Sequence, residues 1–396
     1  MSSSVTLSAA TRQNLLSLQD TAALTSTTQN RLATGLKVSS ALDSPVNFFT
    51  AQALQGRSGD LNALLDSISN GVQTIQAANQ GITSIQKLID TAKSAANQGL
   101  STQLTTTGTA STAFDGTAGG TVAFFVNGTS KSATITAGAT IDEAITALNT
   151  SAGATMFSKD TSGKKIVLNA SADVEFSTAN DQTLLGFAAG STTNTDTYGT
   201  GNDTISPSPD LTVAGVEGRK KLAEQFNSLL IQITQLAKDA SFNGINLISN
   251  GDPSNKLHIA FNEKDTANLD IQGQDLTSDG LDLAAIGPNS GATPNGQGNF
   301  LLDVDIKATI SSLGTASDTL RAASSTFGSN LSVVQNRQDF TKRLVNILDT
   351  GAANLTNADL NEEAANSQAL STRQSLGISA LSLANQAQQG ILQLLR

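Results

Sequence analysis

The sequence predicts a mainly α protein: elongated antiparallel helical rods and a coiled coil built from both termini, with a β-hairpin region and a small outer α+β insert. Three observations predict it. Both ends of the chain carry the same alternating four-and-three spacing of apolar and small residues, which lays one stripe along a helix for a helical partner. Inboard of each end lies a long proline-free amphipathic stretch. Between those stretches the composition turns to Thr, Gly, Ser and Ala with period-two runs.

The N-terminal stripe is Leu15, Leu18, Ala22, Thr25, Gln29, Leu32 and Leu36, and only Arg12, Asp20, Arg31 and Lys37 interrupt an uncharged helix. Pro45 is expected to break it, because proline lacks the N–H and pushes the preceding residue out of the helical region. A longer helix follows over Ser58 to Asn97, with Leu61, Leu65, Ile68, Val72, Ile75, Ile82, Ile85 and Ile89 on one face. At 1.5 Å per residue it runs ~60 Å, so it needs equally long neighbours.

Strands are expected at Val122 to Val126, Ser132 to Thr136, Lys164 to Asn169 and Asp173 to Phe176, with Asn127-Gly128 as a two-residue hairpin turn and Ile141 to Leu148 as a short helix. Thr105 to Gly120 and Ser191 to Pro209 read as low-complexity loops. Helix resumes near Asp210, with Leu222, Phe226, Leu229, Ile233, Leu236 and Ala240 on one face, and stops at Ser241-Phe242-Asn243-Gly244 before a strand-like Ile245 to Ile248. Further strand-like pieces are Leu257 to Phe261 and Leu269 to Ile271. Val304 to Arg396 contains no proline and reads as helix throughout.

It ends in the second stripe: Leu370, Gln374, Gly377, Leu381, Ala384, Gln388, Ile391 and Leu395. Arg373 and Arg396 are the only charged side chains there. A helix with water on its outer side normally shows charge on that side; this one shows Ser, Gln and Asn. Such a segment is marginal alone and becomes ordered when something surrounds it.

Composition narrows the function. The 396 residues are 14% charged with a formal net charge of −10, which argues against nucleic acid or an anionic membrane as partner. No run of eighteen apolar residues is present, so no membrane insertion is expected. There is no cysteine, which removes disulfides and thiolate metal sites. The N-terminus lacks a basic segment followed by an apolar one, so export without a cleaved signal peptide is expected.

Catalytic chemistry finds little support. His258 is the single histidine and a lone His without Cys makes no catalytic pair, so it reads as structural or solvent-facing. Asp303 and Asp305 would share one face of a strand, too few oxygens for a hard cation. Tyr198 to Ile205 holds one copy of a nonapeptide-like calcium repeat that works only when stacked. Asn127 and Asn202 sit in glycosylation sequons. No enzyme activity, cofactor or metal is expected.

Four segments carry a resemblance to a known family. Asn30-Arg-Leu-Ala-Thr-Gly-Leu-Lys-Val-Ser-Ser-Ala-Leu-Asp43, Phe242-Asn-Gly-Ile-Asn-Leu-Ile248, Leu320 to Arg337 and Ala380 to Arg396 resemble segments of bacterial flagellins. The insert resembles the small repeat of flagellins and hook-associated proteins. The resemblance implies a structural subunit, exported by the flagellar type III system, that polymerises with itself into the extracellular flagellar filament for motility. Implied partners are a cap, hook-associated proteins and an export chaperone. A hook–filament junction protein, and a surface-displayed binding module, are the alternatives.

On that reading residues 1–42 and 356–396 form the terminal coil (D0-like); 43–100, 208–300 and 301–355 form the rod domain with its hairpin (D1-like); and 101–207 form the outer insert. The assembly interface is expected at Leu15, Leu18, Leu32, Leu36, Leu370, Leu381, Ile391, Leu394 and Leu395. Two departures stand out. Ser44 to Phe49 replaces a small-residue run and suggests a differently packed bend. Ile89 falls where family members present an arginine to the Toll-like innate receptor, so weak stimulation is expected.

Overall fold

The computed structural model describes residues 9–194, 204–287 and 300–394. Its helices are α1 (Ala9–Thr34), α2 (Pro45–Ser101), α3 (Ile141–Ala152), α4 (Ala179–Leu184), α5 (Val216–Asp239), α6 (Asp303–Thr356) and α7 (Leu360–Leu394). The chain divides into two compact units: Met1–Ser69 with Ala260–Asn268 and Asn336–Arg396, and Asn70–Ile259 with Leu269–Gln335.

In the first unit α1 stops at Gly35, whose φ of 72° is free of cost for glycine and whose N–H returns to the Arg31 carbonyl at 2.8 Å. Pro45 does not break α1 as expected; it opens α2, at the position where its missing N–H costs nothing. Ser44 to Phe49 is accordingly no bend, since Phe48 and Phe49 lie in the first turns of α2, edge to face at 5.5 Å. The long C-terminal helix is interrupted once, at residues 357–359, where the Asp359 carboxylate caps α7 by accepting the N–H groups of Asn361 and Glu362. Leu61, Val345 and Leu348 close the core between α2 and α6.

In the second unit α2, α5 and α6 keep one buried residue every three or four positions: Ile75, Ala78, Ile82, Ile85 and Ile89; Ala223, Phe226, Leu230, Ile233 and Ala237; Ile306, Thr309, Leu313, Ala316, Leu320, Ala323 and Phe327. Ile89 is only 1% exposed and packs inside the second unit. Asp303 and Asp305 open α6 and share no strand. Gly81 is a close approach: a Cβ there would stand 2.6 Å from both the Ala240 Cβ and the Ile248 Cδ1. Gly328, also inside a helix, has open space instead. Gly328→Ala is therefore expected to stabilise by ~1 kcal/mol through helix propensity, and Gly81→Ala to destabilise by ~1–3 kcal/mol through overpacking. Urea titration of the two variants checks the opposite signs.

The turn after α5 is a two-residue one: Asn243 and Gly244 have φ of 50° and 80°, and Phe242 and Ile245 exchange both main-chain bonds. Residues 245–248 are not a strand; Leu247 and Ile248 are fully buried plugs. The hairpin region that follows pairs two strands, Lys256–Ala260 and Asn268–Gln272.

The insert is better ordered than its composition suggests. Nine strands, β1 (Thr105–Thr109), β2 (Gly120–Val126), β3 (Thr129–Ile135), β4 (Phe157–Lys159), β5 (Ile166–Ala170), β6 (Val174–Phe176), β7 (Thr193–Asn194), β8 (Thr204–Ile205) and β9 (Leu211–Ala214), give sheets ordered β4-β5-β1-β9 and β3-β2-β6 plus the pair β7-β8. Phe124, Phe157, Phe176 and Phe187 fill the core with Leu148, Ile166 and Leu168. Asn127-Gly128 makes the expected hairpin between β2 and β3. Thr105 to Thr109, expected as a loop, is a central strand paired on both sides, and the buried Thr106 hydroxyl accepts the Val174 N–H. Residues 211–214, expected as helix, form its neighbour β9. The calcium-like Tyr198 and the sequon at Asn202 lie outside the described residues.

Carboxylates fasten the insert's turns. Asp210 accepts the N–H groups of Ala188 and Ser111, which outweigh partial burial and hold its carboxyl below the ordinary range. The Ser162 hydroxyl and Lys165 N–H hold Asp160 well below it, and the Thr140 N–H lowers Glu143. A folded-state value below the unfolded one contributes stability above the unfolded pKa and loses it as pH falls further. The calorimetric midpoint should stay level from about pH 7 to about pH 5 and fall below about pH 4. An equal midpoint at pH 3 and pH 7 would contradict this.

Candidate assembly interface

The two ends of the chain meet as a two-helix antiparallel coil. Leu18 packs on Gly377, its Cγ 3.3 Å from where a Cβ would lie, and Arg31 pairs with Glu363 at 2.9 Å. Along α7 the inward residues are Glu363, Ser367, Leu370, Gln374, Gly377, Leu381 and Ala384, which from Leu370 onward is the expected stripe. Along α1 they are Thr11, Asn14, Leu18, Thr21, Thr25, Thr28 and Leu32. The expected stripe on α1 is therefore half right: Leu18, Thr25 and Leu32 face inward, whereas Leu15, Ala22 and Gln29 are exposed and Asn14, Thr21 and Thr28 take their places.

The physical reason is threonine. The Thr21 hydroxyl donates to the Ser17 carbonyl and that of Thr25 to the Thr21 carbonyl, both at 2.7 Å. With its hydroxyl bonded inside its own helix, threonine offers the partner a methyl group and packs as a small β-branched residue. A Thr-lined seam buries little apolar area, and the leucines that would strengthen it face outward. Leu16 is 61% exposed, Leu383 71%, and Leu24, Leu376 and Ile378 are also exposed.

The base of the coil is fastened by main chain. Ala358 N–H donates to the Gly35 carbonyl, and the N–H groups of Lys37 and Val38 to the Thr356 carbonyl. Leu36 is half-buried in this clasp, bridged to Asn357. Beside the clasp α1 and α7 leave a groove of about 310 Å³, walled by Leu24, Thr28, Ala369 and Leu370, with the Arg31–Glu363 pair at one end and Arg373 on its rim. Beyond the clasp, Ser39 and Ser40 each donate their N–H and hydroxyl to one oxygen of Asp43. The Ser40 and Ser39 N–H groups hold that carboxyl below its ordinary range.

Of the remaining expected interface residues, Ile391 and Leu394 belong to the last turn of α7 and Leu395 lies outside the described residues. His258 is half-exposed and shares Asp270 with Lys256 across the strand pair. Among the described residues no cluster of metal-ligating groups occurs, and no helix is long and apolar enough to cross a membrane.

Long helices from the two ends of the chain, joined through packing surfaces and with no cluster of metal-ligating groups among the described residues, define a coiled-coil structural protein. The chain belongs to the bacterial flagellin family, whose members are structural proteins and not enzymes. The bacterial flagellin N-terminal helical region matches residues 4–116 and the C-terminal helical region residues 310–395, together half of the chain. It is 34% identical to flagellin FljM and 33% identical to flagellin FljK of Caulobacter vibrioides, each over 175 residues, 44% of this chain. It is 36% identical to flagellin A of Rhizobium meliloti over 92 residues, 23% of each chain. The match spans 59% of the length of the two Caulobacter relatives.

Proposed function

We propose that the chain is the repeating subunit of an extracellular flagellar filament, exported unfolded by the flagellar type III route and used for motility. The observation that carries this reading is the set of large apolar side chains on the outside of α1 and α7, Leu16, Leu24, Leu376, Ile378 and Leu383, beside a seam in which threonine and small residues alternate with a few leucines. Apolar side chains turned outward on a nearly uncharged coil need other copies to cover them, and covering them supplies the driving force. Residues 1–42 and 356–396 are the assembling coil, 43–100, 208–300 and 301–355 the rod, and 101–207 the outward insert, whose sheet is completed by β9 from the start of the 208–300 segment. Among the expected interface leucines whose side chains are described, Leu15 is turned to neighbours, while Leu18, Leu32, Leu370 and Leu381 hold the coil that presents it. A cap, hook-associated proteins and a chaperone complete the set of partners.

Electron microscopy of the purified chain under polymerising conditions tests the reading. Long helical filaments are the expected result; amorphous material or short caps alone would refute it.

A further inference from the structure

We propose that the Leu42–Asp43 tip of one copy docks into the α1/α7 groove of the next, Leu42 against Leu24, Ala369 and Leu370, and Asp43 on Arg373. This contact rests on the filament-subunit reading and names where two copies first interlock.

The tip is built to be inserted. Leu42 is 96% exposed, so it touches almost nothing of its own chain, its own groove included. It nevertheless sits on a rigid turn, because Asp43 gathers four hydrogen bonds from Ser39 and Ser40. All four reach the same oxygen, Oδ2, leaving Oδ1 open beside the leucine. A held turn loses little conformational freedom on docking. Val46 and Phe49, 76% and 58% exposed, continue the apolar surface one and two turns along.

The groove complements it in shape and charge. Its volume of about 310 Å³ holds a leucine side chain with space for the turn behind it. Leu24, Ala369 and Leu370 form its apolar part, Thr28 and Asn366 its neutral polar part, and Arg373 has no ion-pair partner among the described residues, whereas Arg31 is already held by Glu363. The docked arrangement joins the one unpaired cation of the groove to a carboxylate that carries a free oxygen next to an apolar side chain. Tip and groove are different surfaces of one chain, so the contact is head to tail. A head-to-tail contact leaves a free tip and a free groove after each addition, and propagates as an open helix when its rotation does not close a ring.

The test uses the absence of native cysteine. Filaments of the full chain carrying Leu42→Cys with Ala369→Cys are treated with a mild oxidant. A ladder of covalent oligomers is expected, because docking brings the two Cβ atoms within disulfide reach; either single variant should run as monomer. Leu42→Ser should raise the concentration needed for assembly at least tenfold and leave the monomer's melting curve unchanged. Filaments of the doubly substituted chain that give no ladder, or Leu42→Ser filaments forming at the wild-type concentration, overturn the contact. A wild-type chain that forms no filaments overturns the subunit reading itself, and the contact with it.

Discussion

Leu16→Ser combined with Leu383→Ser is expected to leave the monomer folded and to abolish assembly at working concentrations. Both side chains are mostly in water in the single chain, so their loss should change its unfolding free energy in urea by no more than about 0.5 kcal/mol. Each leucine buried between copies contributes about 1.5–3 kcal/mol, and two together about 3–6 kcal/mol. At about 1.4 kcal/mol per factor of ten, the concentration needed for assembly should rise by about 10² to 10⁴. Sedimentation of polymer against concentration gives the number. Leu18→Ala provides the contrast, since it empties the space above Gly377 and should loosen the coil before any assembly begins. If the double serine variant polymerised like the wild type, the outward leucines would have no part in assembly.

The second large effect is Arg219→Met. This guanidinium is almost fully buried near the start of α5 and gathers chain segments distant in sequence. It donates to the Thr102 carbonyl through Nε and Nη2 at 3.0 and 2.9 Å, to the Leu301 carbonyl at 3.0 Å, and pairs with Asp303 at 2.8 Å. The end of α2 and the beginning of α6 are thus tied to α5 by one side chain. Methionine keeps the length and the apolar stem but strands two carbonyls that then need other partners. The expected cost is about 2–5 kcal/mol, since each buried carbonyl left without its donor costs about 1–3 kcal/mol while Asp303 is exposed enough to be solvated, read as a loss of unfolding free energy in urea. Arg219→Lys should fall between, because a single ammonium cannot reach both sides of the fork. A loss below about 1 kcal/mol, the worth of a typical neutral hydrogen bond, would show that the cluster does not hold the unit.

The resemblance at the two ends and the spacing of the helices were both legible in the residues, and the candidate interface was legible in outline. Leu370, Gln374, Gly377, Leu381 and Ala384 could be read directly, because their four-and-three spacing runs unbroken along α7. On α1 two adjacent stripes compete, and counting leucines selects Leu15 where the fold uses Asn14 and Thr21. Nothing local reveals that a threonine hydroxyl will be spent within its own helix. Thr105 to Thr109 was missed for a related reason: a run of threonines shows no alternation of apolar and polar, yet pairing on both edges makes it a central strand. Pro45 was read as a stop when the break had already occurred at Gly35.

What the sequence by itself determined is the set of long helices, their three-and-four periodicity and the pairing of the two termini, since these depend on spacing along one chain. What the tertiary structure alone decided is the rotation of α1 about its axis, the clasp between Gly35, Lys37 and the end of α6, and the gathering of three segments on Arg219. Each of these depends on which distant backbone group arrives beside a side chain. A nearly uncharged helix has too weak a preference of its own to settle which face turns inward, so the partner helix settles it.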